Sequence, residues 1–127
     1  MYIKNYFTLL LVFIFTNASI AQSSNIEPVN YDKVQIKPEF PSGIGEFMFF
    51  FVKNYQVPED EEFKGVANVS IVIDTDGKVT NIKIKNDVGN AISQEIKRVL
   101  SKSPKWKPGT QNGVNVPVVY NFPIKIQ

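Results

Sequence analysis

Residues 114–126 have the sequence VNVPVVYNFPIKI, and this stretch decides the fold. Its even-numbered positions are all apolar, whereas its odd-numbered positions include three polar residues and both prolines, Pro117 and Pro123. An alternation with a period of two is typical of a β-strand that buries one face. The sequence therefore predicts that the chain ends in one long β-strand over residues 114–126.

The two prolines also predict which side of this strand is free. In an extended strand, residues of one parity direct their N–H and C=O groups toward the same lateral neighbour. Proline lacks an N–H, so within sheets it is confined to edge strands and bulges. Because Pro117 and Pro123 share one parity, we expect an open edge on the odd-numbered side, with donors left at Val119 and Asn121. An open edge can pair with a strand from another chain.

Two helices are predicted before this strand. The first is expected to have Ser42 as its N-cap and Glu46 in its first turn and to run to about Asn54, and the second to cover about residues 91–101, before Pro104. Each carries an apolar stripe at helical spacing. The stripes are Phe47, Phe50, Phe51 and Tyr55 in the first helix, and Ile92, Ile96, Val99 and Leu100 in the second. The first helix is apolar on most sides, which indicates either a covered core helix or a partner-binding face.

A β-hairpin is predicted between the helices. Residues 66–73 and 79–85 alternate in polarity on either side of the sequence Asp-Thr-Asp-Gly at residues 74–77, which is a strong hairpin signal. The order is then helix, strand, strand, helix, strand. With a right-handed crossover through the second helix, this order predicts an α+β fold. We expect a three-stranded antiparallel or mixed sheet with both helices on one face.

Three residues are expected to have structural roles. Gly77 closes the hairpin turn, and Gly109 ends the turn that precedes the last strand. Trp106 lies in the same turn, between Lys105 and Lys107. A lone tryptophan here is either an exposed recognition residue or a plug at the end of the core whose N–H finds a carbonyl, and we favour the plug.

The N-terminal part of the chain resembles a signal peptide. Lys4 precedes an apolar run over residues 6–15, and Ser19-Ile20-Ala21 fits the small-x-small pattern of a cleavage site. We predict a cleaved signal peptide over residues 1–21, a linker or loosely attached arm over residues 22–40, and the folded domain over residues 41–127. The expected location is the periplasm. The alternative is a protein anchored in the inner membrane by an uncleaved N-terminus.

Composition excludes several kinds of chemistry. The 127 residues include no histidine and no cysteine, which removes Ser-His and Cys-His nucleophiles and imidazole or thiolate zinc sites. The formal net charge of +2 gives no nucleic-acid footprint. No cofactor or metal is expected. A carboxylate-dependent envelope hydrolase stays open as a minor alternative, with Asp74 and Asp76, or the acidic run at residues 59–62, as its candidate groups.

Three segments resemble the C-terminal domain of TonB-type energy transducers, in the form found in short exported proteins. They are residues 38–43, which open a helix, residues 65–79, which form the hairpin, and residues 95–118. The most specific feature is the sequence Pro-Lys-Trp-Lys-Pro-Gly at residues 104–109, followed by a valine-rich strand. The resemblance covers roughly residues 38–127 in the expected order.

The resemblance implies a non-enzymatic periplasmic interaction domain. TonB-like domains add a short extended segment of an outer-membrane receptor to the edge of their last strand, so a role in TonB-dependent transport is implied. In this chain the receiving residues would be Val116, Pro117, Val118, Val119, Tyr120, Asn121, Phe122, Pro123 and Ile124. The partner is then an outer-membrane receptor or another envelope protein. A homodimer in which the same edges pair is the alternative.

Overall fold

A computed structural model of the protein describes residues 26–59 and 61–127. The described part contains the helices α1 (Ile44–Asn54) and α2 (Asn90–Ser101) and the strands β1 (Val29–Asn30), β2 (Gly65–Ile73), β3 (Val79–Ile84), β4 (Thr110–Gln111), β5 (Val114–Asn115) and β6 (Val118–Ile126). None of its helices is long and apolar enough to cross a membrane. The predicted signal peptide, residues 1–21, lies outside the described residues.

The main sheet has the strand order β1-β6-β2-β3. β6 is antiparallel to β2 along its whole length, from Gly65↔Ile126 to Ile73↔Val118, and β2 is antiparallel to β3. β1 adds a short parallel pairing on the other side of β6. The predicted α+β class is therefore confirmed, but the mixed sheet has four strands, because the sequence pattern did not predict β1.

The predicted strand over residues 114–126 is divided in two. Residues Val114–Asn115 form β5, which pairs with β4 in a separate two-stranded sheet. The loop between β4 and β5 is Asn112-Gly113, and both residues have positive φ, 52° and 76°. This is the Asn-Gly hairpin turn that matches the twist of its strands. The single-strand prediction was wrong at this point, because the alternation of polarity continues across residues 116–117, where the pairing partner changes from β4 to β2.

Both apolar stripes of the helices face the core, as predicted. Phe47 and Phe51 of α1 are buried, and so is the whole stripe of α2. The predicted N-cap is wrong: α1 begins at Ile44 with Gly43 as its N-cap, and no side chain caps it. Ser42 itself has a positive φ of 69°, which places it in the turn before the helix.

The core lies on one face of the sheet, and both helices cover that face. It contains the odd-numbered residues of β2 from Ala67 to Ile73 and the even-numbered residues of β6 from Tyr120 to Ile126, together with residues of α1 and α2. Phe47 is at its centre, with ring centroids 4.9 Å from Trp106, 5.2 Å from Phe122 and 5.5 Å from Phe40. Such edge-to-face and tilted aromatic pairs contribute about 0.5–1.5 kcal/mol each beyond the burial of their area.

The segment expected to be a linker or loosely attached arm is packed onto the domain from residue 28. We call residues 28–40 the N-terminal arm. It contains β1 and two isolated bridges, Ile36↔Thr110 and Glu39↔Lys107. Val34 and Phe40 are only 4% and 6% exposed. The arm's pairings are too short to produce a recognisable period, which is why the sequence predicted no element here.

Candidate protein-interaction site

The odd-numbered residues of β6 direct their backbone groups away from β2. The N–H of Val29 donates to the carbonyl of Pro117 (2.9 Å), and the N–H of Tyr31 donates to the carbonyl of Val119 (3.0 Å). Both acceptors therefore lie on the side of β6 opposite to β2. We call the carbonyl groups of residues 117, 119, 121, 123 and 125, together with the N–H groups of residues 119, 121 and 125, the outer flank of β6. This orientation is the one that the positions of the prolines predict.

The first part of the outer flank is occupied by the chain itself. The parallel register pairs Val29 with Val118 and Asn30 with Val119, and in a parallel ladder this places the Val119 N–H toward the Val29 carbonyl. Val116 lies before β6, and its N–H donates to the carbonyl of Gly109 (3.0 Å). The prediction of an edge open from Val116 onward is therefore wrong for residues 116–119. A two-residue strand carries no sequence period that could have indicated it.

The second part of the outer flank is open among the described residues. Pairing with β1 stops because the arm turns away, with the N–H groups of Lys33 and Val34 both donating to the carbonyl of Asn30 (2.9 and 3.0 Å). Beyond this turn no described strand pairs with the outer flank. The odd-numbered residues that follow, 121, 123 and 125, are all exposed. We call their backbone groups the open flank.

The open flank presents both donors and acceptors. Asn121 and Lys125 each offer an N–H and a carbonyl, whereas Pro123 offers only its carbonyl. The donor at Asn121 is the one that the sequence predicts, and Lys125 adds a second donor beyond the second proline. The side chains of all three residues lie on the sheet face that carries no helix, since the even-numbered residues of β6 face the core.

An apolar groove adjoins the open flank on the helix side of the sheet. It has a volume of about 440 Å³ and lies between α1 and the end of β6. We call it the α1 groove; its lining residues are Met48, Phe51, Val52, Tyr55, Val57, Ile124, Lys125, Ile126 and Gln127. Val52 and Val57 are 69% and 75% exposed, so the groove presents apolar side chains to solvent. Since Lys125 belongs to both features, the groove and the open flank form one continuous surface.

Tyr55 closes the inner wall of the α1 groove. Its ring stacks on that of Phe51, with centroids 5.3 Å apart. Its hydroxyl is buried and has no hydrogen-bond partner among the described residues. Burial raises the pKa of Tyr55, and the nearby carboxylates of Glu95 and Glu61 raise it further. The phenol therefore stays protonated and neutral at physiological pH, and this wall of the groove carries no charge.

The end of α1 is held in place by an ion pair on α2. Arg98 donates through Nε to Glu95 Oε2 (2.8 Å) and through Nη2 to the backbone carbonyl of Asn54 (2.8 Å). Glu95 Oε1 accepts the backbone N–H of Gln56 (2.9 Å). The hydrogen bond from Arg98 lowers the pKa of Glu95. This clamp fixes the segment that leads from α1 to Val57, and hence the shape of the α1 groove.

The start of β6 is fixed by the turn that contains Trp106. The Trp106 side chain is only 2% exposed, and its Nε1 donates to Ser103 Oγ (3.0 Å), a hydroxyl rather than the expected carbonyl. Its backbone N–H donates to the carbonyl of Gly77 (2.9 Å). A Cβ on Gly77 would lie 2.0 Å from the Trp106 carbonyl oxygen, and one on Gly109 would lie 2.7 Å from Val118 Cγ2. Gly77 therefore permits close packing against the tryptophan, and Gly109 permits close packing against the start of β6.

The acidic residues considered for a hydrolase make structural contacts. Asp74 accepts the N–H of Gly77 through its backbone carbonyl (2.9 Å), and Asp76 Oδ1 accepts the N–H of Lys78 (3.0 Å), so both shape the hairpin turn. Glu61, from the acidic run, accepts the N–H of Ala91 at the start of α2 (3.3 Å). In the described part of the chain, no group of three or more acidic residues is placed to hold a metal ion.

The fold and the site together define a small α+β protein-interaction domain with a partly open sheet edge. The model of the family "Gram-negative bacterial TonB protein C-terminal" matches residues 59–125, more than half of the chain. The chain therefore belongs to the family of TonB C-terminal domains. A comparison with curated proteins gave no match, and neither did a comparison with solved structures.

Membership of this family has direct consequences for function. TonB C-terminal domains are non-enzymatic modules of the periplasm that interact with outer-membrane receptors, so this chain carries a TonB-like envelope protein-interaction module. The matched residues run from the segment before β2 to Lys125, and thus include the whole open flank. They begin after the N-terminal arm and α1, so the family match does not cover either the arm or most of the α1 groove.

Proposed function

We propose that this domain binds an extended segment of an outer-membrane receptor, or of another envelope protein, by strand addition at the open flank. The observation that carries the proposal is the row of outward-facing backbone groups of Asn121, Pro123 and Lys125, which pair with no described strand. Backbone pairing along an exposed sheet edge is a general mode of peptide recognition. The family's interaction with outer-membrane receptors supports the choice of partner.

The expected affinity is moderate. Each backbone hydrogen bond contributes only about 0.5–1.5 kcal/mol net, because the free groups are already bonded to water. Three or four such bonds along residues 121–125, together with side-chain contacts in the α1 groove, correspond to about −8 kcal/mol, or a dissociation constant near one micromolar. An affinity of this size suits a contact that must form and release repeatedly.

The α1 groove gives the added strand its side-chain preference. Alternate residues of a strand point to the same face and are spaced by about 7 Å. Those facing the helix side would lie beneath Met48 and Val52, whereas the others would face solvent beside Asn121 and Pro123. We therefore propose that the partner segment carries apolar residues at alternating positions.

The cellular setting follows from the same proposal. We propose that the chain is exported by the signal peptide at residues 1–21 and acts in the periplasm in TonB-dependent transport. An uncleaved N-terminus would instead tether the domain to the inner membrane. Either form would present the open flank to the periplasmic side of the outer membrane.

A titration followed by NMR tests the proposal. The isotopically labelled protein is mixed with synthetic peptides that cover the periplasmic segments of outer-membrane receptors, and with scrambled versions as controls. We expect backbone shifts at Asn121 and Lys125 and methyl shifts at Val52 for a binding peptide. Shifts confined to α2, or equal shifts with the scrambled peptides, would contradict strand addition at the open flank.

A homodimer is the second candidate, since the open flanks of two copies could pair with each other around a two-fold axis. Such a dimer would leave no free edge for a receptor. Light scattering over a hundredfold range of protein concentration distinguishes the two: a constant monomer mass favours the receptor-binding function, and a concentration-dependent doubling favours the dimer.

A further inference from the structure

The outer flank has two parts: the open flank at residues 121–125, and a first part at residues 117–119 that is paired with the N-terminal arm. We infer that arm residues 28–31 are a built-in competitor, which an incoming strand longer than the open flank has to displace. This inference rests on the proposed strand addition and extends it, because it adds a control on the length of segment that the domain accepts. Neither β1 nor the turn that follows it lies within residues 59–125, the region matched by the family model.

The arm is attached to β6 in the same way as an added strand would be. It uses the hydrogen bonds from Val29 to Pro117 and from Tyr31 to Val119. The Tyr31 ring also packs against Tyr120, with centroids 4.5 Å apart. The arm and a partner strand would therefore require the same backbone groups, and both cannot hold them at once.

The arm's pairing with β6 is short compared with the rest of the sheet. β1 pairs over two residues, whereas β2 pairs with β6 over nine. Asn30 is exposed, and its side chain bonds only within the adjoining turn, where Asn30 Oδ1 accepts the N–H of Asp32 (2.9 Å). Segments with few buried contacts open at low free energy without global unfolding.

The remainder of the arm is fastened independently of β1. Val34 is buried, and Ile36 and Glu39 form backbone bridges to Thr110 and Lys107. Residues 28–31 can therefore swing away about the turn at residues 31–34 while the core stays intact. Their release would extend the available outer flank from residues 121–125 to residues 117–125 and would free the Val119 donor.

Displacement has a measurable consequence for affinity. When only a fraction of molecules is competent to bind, the apparent dissociation constant rises by the reciprocal of that fraction. A peptide of five residues fits the open flank and should bind whether or not the arm is attached. A peptide of nine or more residues should bind more tightly when the arm is released.

The arm can be released or locked by substitution. Val29→Pro removes the N–H that donates to Pro117, whereas the control Val29→Ala keeps it. For the lock, Asn30→Cys and Val119→Cys introduce a cysteine pair at directly paired positions, in a chain that has no other cysteine. Neighbouring strands lie about 4.8 Å apart, within the range of Cα separations that a disulfide spans. The reduced and oxidised forms of this variant are then compared as one protein in two states.

Peptide affinity provides the first result. A receptor peptide of nine or more residues should bind about tenfold more weakly to the oxidised than to the reduced double-cysteine variant, and about tenfold more tightly to Val29→Pro than to Val29→Ala. A five-residue peptide should bind all four forms alike. Equal affinity of the long peptide for the oxidised and reduced forms would overturn the inference and leave the proposed function standing.

Amide hydrogen exchange provides a result that needs no receptor peptide. In the unmodified protein the Val119 amide should exchange at least tenfold more slowly than that of Asn121, and in Val29→Pro the two should exchange alike, with the Val69 amide in β2 unchanged. If no receptor peptide binds any form, the proposed function fails. The inference about the arm is then decided by a peptide of residues 26–36 added to Val29→Pro: renewed protection of Val119 supports it, and no protection at millimolar peptide overturns it.

Discussion

Substitution of Asn121 by proline tests the strand-addition mechanism without disturbing the sheet. Asn121 belongs to the outer flank, so its N–H points away from β2 and pairs with no described strand. The ladder with β2 is carried by the even-numbered residues, such as Phe122 opposite Val69. Pro117 and Pro123 already occupy the same parity, which shows that the strand accommodates a proline on this side.

The expected effect is a loss of binding without a loss of folding. Removing one donor from the interface should cost about 0.5–1.5 kcal/mol, equivalent to about two- to thirteenfold weaker binding of a receptor peptide. The free energy of unfolding should change by less than about 1 kcal/mol, because no internal hydrogen bond is broken. The control is Asn121→Ala, which removes the same side chain but keeps the N–H.

Two measurements check this prediction: denaturant unfolding of each variant, and titration of each with the same peptide. If the free energy of unfolding of Asn121→Pro is several kcal/mol lower than that of Asn121→Ala, the Asn121 N–H is bonded inside the domain. That result would refute the orientation of the outer flank. A folded Asn121→Pro variant that binds the peptide as tightly as Asn121→Ala would show that the partner does not pair at this residue.

Three further substitutions test the parts of the fold that position the site. Gly77→Ala should destabilise the domain by about 2 kcal/mol or more in denaturant unfolding, since Gly77 has a φ of 86° and a Cβ there would collide with the Trp106 carbonyl. Phe47→Ala should cost about 3–5 kcal/mol in the same assay, because it leaves a cavity between aromatic rings. Glu95→Gln tests the clamp by its pH dependence. Arg98 lowers the pKa of Glu95 in the folded state, so the stabilisation is present above the pKa of the unfolded chain and is lost as the pH falls through the lowered folded-state pKa. The variant should therefore be less stable than the unmodified protein at neutral pH, and the difference in midpoint should shrink as the pH falls into the acid range and the carboxylate becomes protonated in the folded state as well.

The elements with strong local patterns were predicted from the sequence alone. The hairpin of β2 and β3 has an Asp-Gly turn between alternating strands, and α2 has four apolar residues at helical spacing. The orientation of the outer flank also followed from the sequence, because a proline's missing N–H is a property of the residue itself. In each case the deciding interaction lies within a few residues along the chain.

The parts that the sequence did not predict depend on contacts between distant segments. The pairing of β1 with β6 joins residues about ninety positions apart and involves too few residues to leave a period. The bond from Arg98 to Asn54 spans 44 positions, and it fixes a groove that no single segment forms. The Asn112-Gly113 turn is the exception, since its signal is local and would have predicted the hairpin of β4 and β5.

Photocrosslinking from position 121 tests most directly whether a foreign strand pairs with the open flank. A photoreactive residue replaces Asn121 in the intact envelope, and the same residue at Lys83, on the opposite edge strand β3, serves as the control. We expect position 121 to capture an outer-membrane receptor or another envelope protein, with the crosslink in an extended segment that faces the periplasm, and position 83 to capture none. Crosslinks from position 121 only to a second copy of the chain or to its own arm, or the same captured proteins from both positions, would contradict the account.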